Sequence, residues 1–83
     1  SGDWRIIHTP GHTKGSCCLF NSKENILISG DCVFYRSFGR TDLPGGSDFE
    51  MRQSLLRLRN EIPANALVYP GHDRTGFCFS ENF

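Results

Sequence analysis

The feature that most constrains the fold is a single segment with helical spacing of its apolar residues. The other apolar runs of the chain are short and strand-like. The residues Ser47-Asp48-Phe49-Glu50 have the form of a capping box. Apolar side chains then recur at helical spacing as far as Pro63, at Met51, Leu55, Leu58 and Ile62. The pattern predicts one amphipathic helix of about 12 to 14 residues that ends before the proline.

Strand-like runs lie on both sides of the helical segment. The runs before it predict a meander of three short strands, over residues 4–8, 16–20 and 26–29. Residues 66–69 predict a last short buried strand, and segment 31–47 predicts a long loop of the kind that often carries function. Strands that lead into one helix and one further strand make an α/β or α+β unit, in which one sheet face still needs a partner.

Length and charge limit the classes of function. A chain of 83 residues makes one small domain, and a domain of this size buries only about 60 to 65% of the surface that its unfolded chain exposes. Nine acidic residues balance nine basic residues. No net field therefore favours nucleic acid or a membrane surface as a partner.

Apolar runs and cysteines indicate the compartment. No run approaches the roughly 20 residues of a membrane span, and the first residues lack the pattern of a signal peptide. The four cysteines form no C-x-x-C motif, and the adjacent pair Cys17-Cys18 lies on opposite faces of a predicted strand. We expect a soluble, cytoplasmic protein with four free thiols, although a disulfide is the alternative.

Three residues with metal-binding side chains follow predicted strands. His12, Asp31 and His72 all lie in turns rich in Gly and Pro, which allow side chains from several strand ends to meet at one rim. Imidazole and carboxylate ligands suit zinc, iron or manganese. Three ligands with one open position would make a catalytic site, whereas a single His in a turn is more often a surface residue.

Four motifs in order resemble the C-terminal half of the metallo-β-lactamase superfamily, and within it the glyoxalase II-like hydrolases. They are His-Thr-Pro-Gly-His-Thr at 8–13, Gly-Asp at 30–31, Gly-Arg-Thr-Asp-Leu-Pro-Gly-Gly at 39–46 and Tyr-Pro-Gly-His at 69–72. The resemblance implies half of an αββα sandwich. Residues 1–83 would form a single partial domain.

The resemblance also implies roles for individual residues. His12 matches a ligand of the first metal, Asp31 the catalytic carboxylate that bridges two metals, and His72 a ligand of the second metal. Arg40 falls where such hydrolases bind the thiol-carrier part of the substrate, although an exposed loop arginine is the simpler interpretation. The implied cofactor is zinc, as one or two ions, with iron or manganese as alternatives.

Neighbouring residues have simpler interpretations. His8 is expected to make structural hydrogen bonds, because Pro10 and Gly11 prevent a helix that would align it with His12. Cys32 is expected to be a small buried apolar residue. We also expect Cys17 and Cys18 to pack within a strand, and Thr41 and Asp42 to brace their loop.

In the family, metal-bound hydroxide attacks a thioester or ester carbonyl, and the remaining ligands come from an H-x-H-x-D-H motif. That motif is not in the sequence. The expectation is therefore a C-terminal fragment of a hydroxyacylglutathione hydrolase-like enzyme, inactive alone, which pairs as a homodimer or with the missing N-terminal half. Residues 73–83 also depart from the family's usual ending.

Two alternatives remain open on the sequence. Gly-Arg-Thr-Asp, together with His72-Asp73 and Gly76-Phe77, resembles the iron-dependent persulfide dioxygenases of the same superfamily. The other alternative is a non-catalytic module that pairs with itself through an uncovered sheet face, since exposed apolar area favours association.

Overall fold

One sheet and one helix account for most of the computed structural model, which describes residues 4–42, 44–71 and 75–82. The helix α1 spans Asp48–Glu61, and a short 3-10 helix spans Phe79–Glu81. The strands are β1 (Trp4–His8), β2 (Cys17–Asn21), β3 (Ile26–Gly30), β4 (Val33–Phe34), β5 (Ser37–Phe38), β6 (Leu67–Pro70) and β7 (Phe77–Cys78). The mixed α/β class predicted from the sequence is confirmed.

The five-stranded sheet has the order β1-β2-β3-β6-β7. Strands β1, β2 and β3 pair antiparallel in sequence, so the predicted meander is confirmed, with β2 one residue later than expected. Strand β6 pairs parallel with β3, because α1 carries the chain back to the starting end of the sheet. This parallel pair brings the carboxyl ends of β3 and β6 to the same edge.

The predicted helix is confirmed at both ends. The Ser47 hydroxyl accepts a hydrogen bond from the Glu50 amide at 3.2 Å, and Ile62 caps the C-terminus just before Pro63. The buried face of α1 packs on one face of the sheet. The core formed there contains Ile7, Cys18, Phe20, Leu27, Cys32, Val33, Met51, Leu58, Ile62, Ala66, Val68, Phe77 and Phe79.

Two parts of the structure differ from the sequence prediction. The segment predicted as a long loop contains the hairpin β4-β5, whose turn places Arg36 at φ 56°. The hairpin forms because Val33 and Phe34 are buried. After the last predicted strand, β7 pairs antiparallel with β6 and adds an edge to the sheet. Both additional pairings are only two residues long, which is too short for an alternating pattern to be visible.

The second face of the sheet is apolar and is not covered by any described part of the chain. One row across this face follows the strand register from Ile6 to Leu19, Ile28 and Tyr69. We call it the open sheet face, and its large exposed side chains are Trp4, Ile6, Ile28, Leu67 and Tyr69, between 37% and 71% exposed. The expected uncovered face is therefore present in the folded chain.

Among the residues that the structure describes, no helix is long and apolar enough to cross a membrane. The four cysteines all lie in described segments and are free thiols, as expected. Cys18 is buried and Cys17 is exposed, which confirms that they lie on opposite faces of β2. The expectation that both pack within the strand was wrong for Cys17, because alternation along β2 points its side chain away from the core.

Candidate metal centre

Two of the three predicted ligands meet at the edge where β3 and β6 end. Asp31 follows β3, and Gly71 follows β6 beside it, with the Gly71 amide donating to the Gly30 carbonyl at 2.8 Å. A Cβ atom at Gly71 would lie 3.4 Å from Asp31 Oδ1, so the chain passes directly beside the carboxylate. The third predicted ligand, His72, lies outside the described residues.

His12 faces Asp31 across this edge. Its Nε2 lies 3.7 Å from Asp31 Oδ2, and its side chain is 18% exposed while that of Asp31 is 49% exposed. On the other side of the ring, Nδ1 lies 2.7 Å from the carbonyl oxygen of Arg40. A carbonyl oxygen only accepts, so Nδ1 donates this hydrogen bond, and Nε2 is the ring nitrogen that faces the Asp31 carboxylate.

The turn that carries His12 is fixed by helix α1. Gly11 adopts φ 144° and is so close to α1 that a Cβ atom would lie 2.5 Å from the Met51 Cα. Its carbonyl accepts from the Ser47 amide at 2.8 Å, and the Ser54 hydroxyl donates to the Pro10 carbonyl at 2.7 Å. The Pro-Gly sequence before His12 therefore allows the turn to pack closely against the helix.

The 39–42 loop supports His12 and Asp31 from the other side. The Arg40 guanidinium donates two hydrogen bonds to the Asp42 carboxylate, at 2.8 and 3.0 Å. These bonds hold the pKa of Asp42 below its usual value and raise the pKa of Arg40. The Thr41 hydroxyl also donates to the Asp48 carboxylate in the first turn of α1. Thr41 and Asp42 brace the loop, as the sequence predicted.

A small cavity of about 190 Å³ opens beside these groups, lined by His12, Asp31, Phe34 and Arg40. Sequence reasoning identified three of these residues and missed Phe34. Phe34 lies three residues after Asp31 in a hairpin that was not predicted, and no motif in the sequence marked it as a cavity residue. The same hairpin is held by Asn82, whose side-chain amide donates to the carbonyls of Phe34 and Ser37 at 2.6 and 3.1 Å.

The donors that meet here suit a first-row divalent metal. Two ligands on one zinc ion, each at about 2.0 to 2.2 Å, lie about 3 to 3.5 Å apart, and the 3.7 Å between Nε2 and Oδ2 is close to that spacing. Within residues 4–42, 44–71 and 75–82, no group of three or more His, Cys, Asp or Glu side chains is arranged to hold a metal. The described residues therefore bring together two candidate ligands, His12 and Asp31.

His8 lies apart from this centre. Its Nε2 donates a hydrogen bond to the carbonyl oxygen of Lys14 at 2.8 Å, because a carbonyl oxygen can only accept. The bond closes the loop between β1 and β2. The structural role predicted for His8 is confirmed, and Cys32 is likewise a buried core residue, 1% exposed, as predicted.

Comparison with known proteins places this chain in a family. The Metallo-beta-lactamase superfamily matches residues 1–72, and the chain belongs to that superfamily. An uncharacterized protein of Aquifex aeolicus is 47% identical over 70 residues, which cover 84% of this chain and 33% of that protein. A protein of Methanocaldococcus jannaschii named "probable metallo-hydrolase" is 44% identical over 85 residues, covering 94% of this chain and 40% of its own length.

The solved structures agree with the fold. TTHA1623, crystallised in a di-iron-bound form, superposes with a TM-score of 0.88 at 33% identity. The superposition covers 95% of this chain and 39% of that protein. The chain thus spans between a third and two-fifths of the length of the relatives that it matches.

Proposed function

We propose that this chain supplies the C-terminal half of a metal-dependent hydrolase site that acts on thioesters or related esters, in the manner of glyoxalase II-like enzymes. The observation that carries the proposal is the approach of His12 Nε2 to within 3.7 Å of the Asp31 carboxylate. The hydrogen bond from Nδ1 to the Arg40 carbonyl orients the ring for that role. Carbonyl and carboxylate partners of this kind are typical behind metal-bound histidines.

His12, Asp31 and His72 are the residues that we assign to the metal, which is zinc as one or two ions, with iron or manganese as alternatives. When bound, the metal supplies a water of lowered pKa and a positive charge beside the substrate carbonyl. Residues 1–83 form one partial domain in this proposal. The remaining ligands come from an H-x-H-x-D-H segment, which the sequence does not contain.

The other residues of the cavity act on the substrate. Phe34 gives the cavity an apolar wall, which favours the acyl chain of a thioester over water. Arg40 carries the cation that we assign to a carboxylate on the substrate. In the free chain the Arg40 guanidinium is paired with the Asp42 carboxylate. Binding of such a substrate would replace this partner of Arg40 with the substrate carboxylate.

The open sheet face is the surface that we assign to the missing half. Trp4, Ile6, Ile28, Leu67 and Tyr69 form a continuous apolar surface that a solvent-exposed sheet rarely presents. Packing against a second sheet would bury it and complete an αββα sandwich. Without the complementary half, the same face pairs with a second copy of the chain. Nucleic acid and membrane are not partners in this proposal.

Complementation tests the proposed activity. The chain is mixed with a separately expressed N-terminal half of a related enzyme that carries H-x-H-x-D-H, and thioester hydrolysis is measured with zinc present. We expect activity in the mixture, little in either half, and loss of at least about a hundredfold with His12→Ala, since a metal ligand outweighs the supporting groups whose loss costs 10- to 100-fold. His8→Ala is the matched control and should retain activity. Full hydrolysis by the chain alone would contradict the proposal.

The same mixture distinguishes the alternatives. The di-iron form of TTHA1623 supports iron as a candidate metal. Oxygen consumption with a glutathione persulfide, in an iron-loaded mixture that does not cleave thioesters, would favour a persulfide dioxygenase. A mixture that binds no metal under any condition would leave the non-catalytic pairing module.

A further inference from the structure

The side chain of Asn82 holds the hairpin β4-β5 through three hydrogen bonds to its backbone. Its Oδ1 accepts from the amide of Arg36, 46 positions earlier in the chain, at 2.8 Å. Its Nδ2 donates to the Phe34 carbonyl at 2.6 Å and to the Ser37 carbonyl at 3.1 Å. Both amide hydrogens are therefore used. These partners also fix the orientation of the side-chain amide, because an N–H needs an acceptor and a carbonyl needs a donor.

The turn of this hairpin needs support from outside. Strands β4 and β5 pair over two residues each, in a sheet separate from the five-stranded sheet. A two-stranded hairpin is marginally stable by itself. The turn also places Arg36 at φ 56°, a conformation that residues other than glycine rarely adopt. The bonds from Asn82 reach Arg36 and the backbone on either side of it, so they stabilise the turn in this conformation.

The tail that carries Asn82 is itself fixed to the core. Phe79 is 2% exposed and belongs to the core cluster. Its amide donates to the Ala66 carbonyl at 2.8 Å, and its own carbonyl accepts from the Asn82 amide at 3.1 Å. A second contact joins tail and hairpin, since the Tyr35 ring packs edge-on against the Phe77 ring with centroids 5.4 Å apart. The core therefore fixes the tail, and the tail holds the hairpin.

The hairpin carries one wall of the candidate cavity. Phe34 lines this cavity with His12, Asp31 and Arg40, and its carbonyl accepts the shortest of the three Asn82 bonds. We propose that Asn82 is a positioning residue that fixes the Phe34 wall and thereby limits the substrate to thioesters with a short acyl group. This inference rests on the proposed function and deepens it, because it names the part of the substrate that the tail selects.

The size of the cavity defines a short acyl group. Its volume is about 190 Å³, which is room for roughly six groups of the size of a water molecule. A butyryl group fits this space, whereas an octanoyl group requires Phe34 to move. An apolar pocket discriminates by about tenfold or more for each methylene, provided that its wall does not yield. Discrimination by chain length therefore depends on the bonds that Asn82 makes.

Hydrolysis of butyryl and octanoyl thioesters of glutathione by the complemented mixture measures this selectivity. Asn82→Ala removes all three bonds, and the isosteric Asn82→Asp keeps only the acceptor for Arg36. Each variant should lower the preference for butyryl, as the ratio of the two kcat/KM values, by at least about fivefold. The change should lie in KM, with kcat for the butyryl thioester close to that of the wild type, because His12 and Asp31 are unchanged. Asn60→Ala, the same substitution at an exposed position of α1, should leave the ratio unchanged.

Two NMR measurements on the chain alone separate this inference from the fate of the hydrolase. The Arg36 amide should exchange its hydrogen about three- to tenfold faster in Asn82→Ala, as expected for the loss of one hydrogen bond. Butyrate should shift the signals of Phe34 and Arg40 in the wild type more strongly than octanoate at equal concentration. In Asn82→Ala the two carboxylates should bind alike.

Unchanged Arg36 exchange in Asn82→Ala would overturn the inference. Faster exchange, with the same preference for butyrate in the wild type and the variant, would overturn it equally, because Asn82 would then have a structural role only. A mixture that cleaves no thioester, while the preference for butyrate still depends on Asn82, would count against the hydrolase and for Asn82 as the residue that sets the cavity wall.

Discussion

Gly39 packs against the backbone of Asp31 and the side chain of His12, with no room for a larger residue. A Cβ atom at this position would lie 1.9 Å from the Asp31 carbonyl oxygen and 3.3 Å from the His12 Cβ. Because backbone cannot move aside as a side chain can, we expect Gly39→Ala to destabilise the chain by about 1 to 3 kcal/mol. Urea unfolding measures the change.

Gly15→Ala is the matched control for that measurement. A Cβ atom at Gly15 would meet nothing within 4 Å, so its replacement should leave the unfolding midpoint almost unchanged. Equal midpoints for the two variants would show that the 39–42 loop does not pack against Asp31 as described.

The sequence pointed to His12 and Asp31 because each follows a predicted strand and matches a motif of the metallo-β-lactamase superfamily, and the structure brings the two side chains together. The acceptor behind His12 was not predictable. It is the backbone carbonyl of Arg40, 28 positions along the chain, and any residue type carries such a carbonyl. The pairing of Arg40 with Asp42 likewise depends on the loop conformation, although their spacing permits it.

Helix α1 is the element that positions the His12 turn, and its N-cap can be tested directly. Ser47 accepts from the Glu50 amide through its side chain and donates to the Gly11 carbonyl through its backbone. Ser47→Ala removes only the first bond, and we expect a loss of about 1 kcal/mol in the free energy of unfolding. Thermal unfolding of this variant should be compared with that of Ser22→Ala, an exposed turn position. Equal stabilities would contradict the capping role.

Elements with a long periodic pattern were predictable, and the two-residue strands were not. The helix and the first three strands followed from apolar spacing and from Pro and Gly boundaries. Strands β4, β5 and β7 depend on tertiary packing. Val33 and Phe77 are buried, and the side-chain amide of Asn82 donates a hydrogen bond to the hairpin backbone. No local pattern of two residues distinguishes these segments from a loop.

At the scale of the whole molecule, we propose that the chain associates through the open sheet face. We expect sedimentation to show a dimer at micromolar concentration, because dimerisation covers the exposed Ile6, Ile28 and Tyr69 side chains. Ile6→Lys should shift the population to monomer, whereas Leu56→Lys, on the exposed side of α1, should not. A folded wild-type monomer at that concentration would contradict the assignment of this face.

The central claim is that His12 and Asp31 hold a catalytic metal once the complementary half is present. The most direct measurement is metal content per complex, after mixing the two halves with zinc and removing free ions. We predict that His12→Ala and Asp31→Asn each lower the bound metal relative to the wild type, while His8→Ala leaves it unchanged. Equal metal content in the wild-type, His12→Ala and Asp31→Asn complexes would contradict the account.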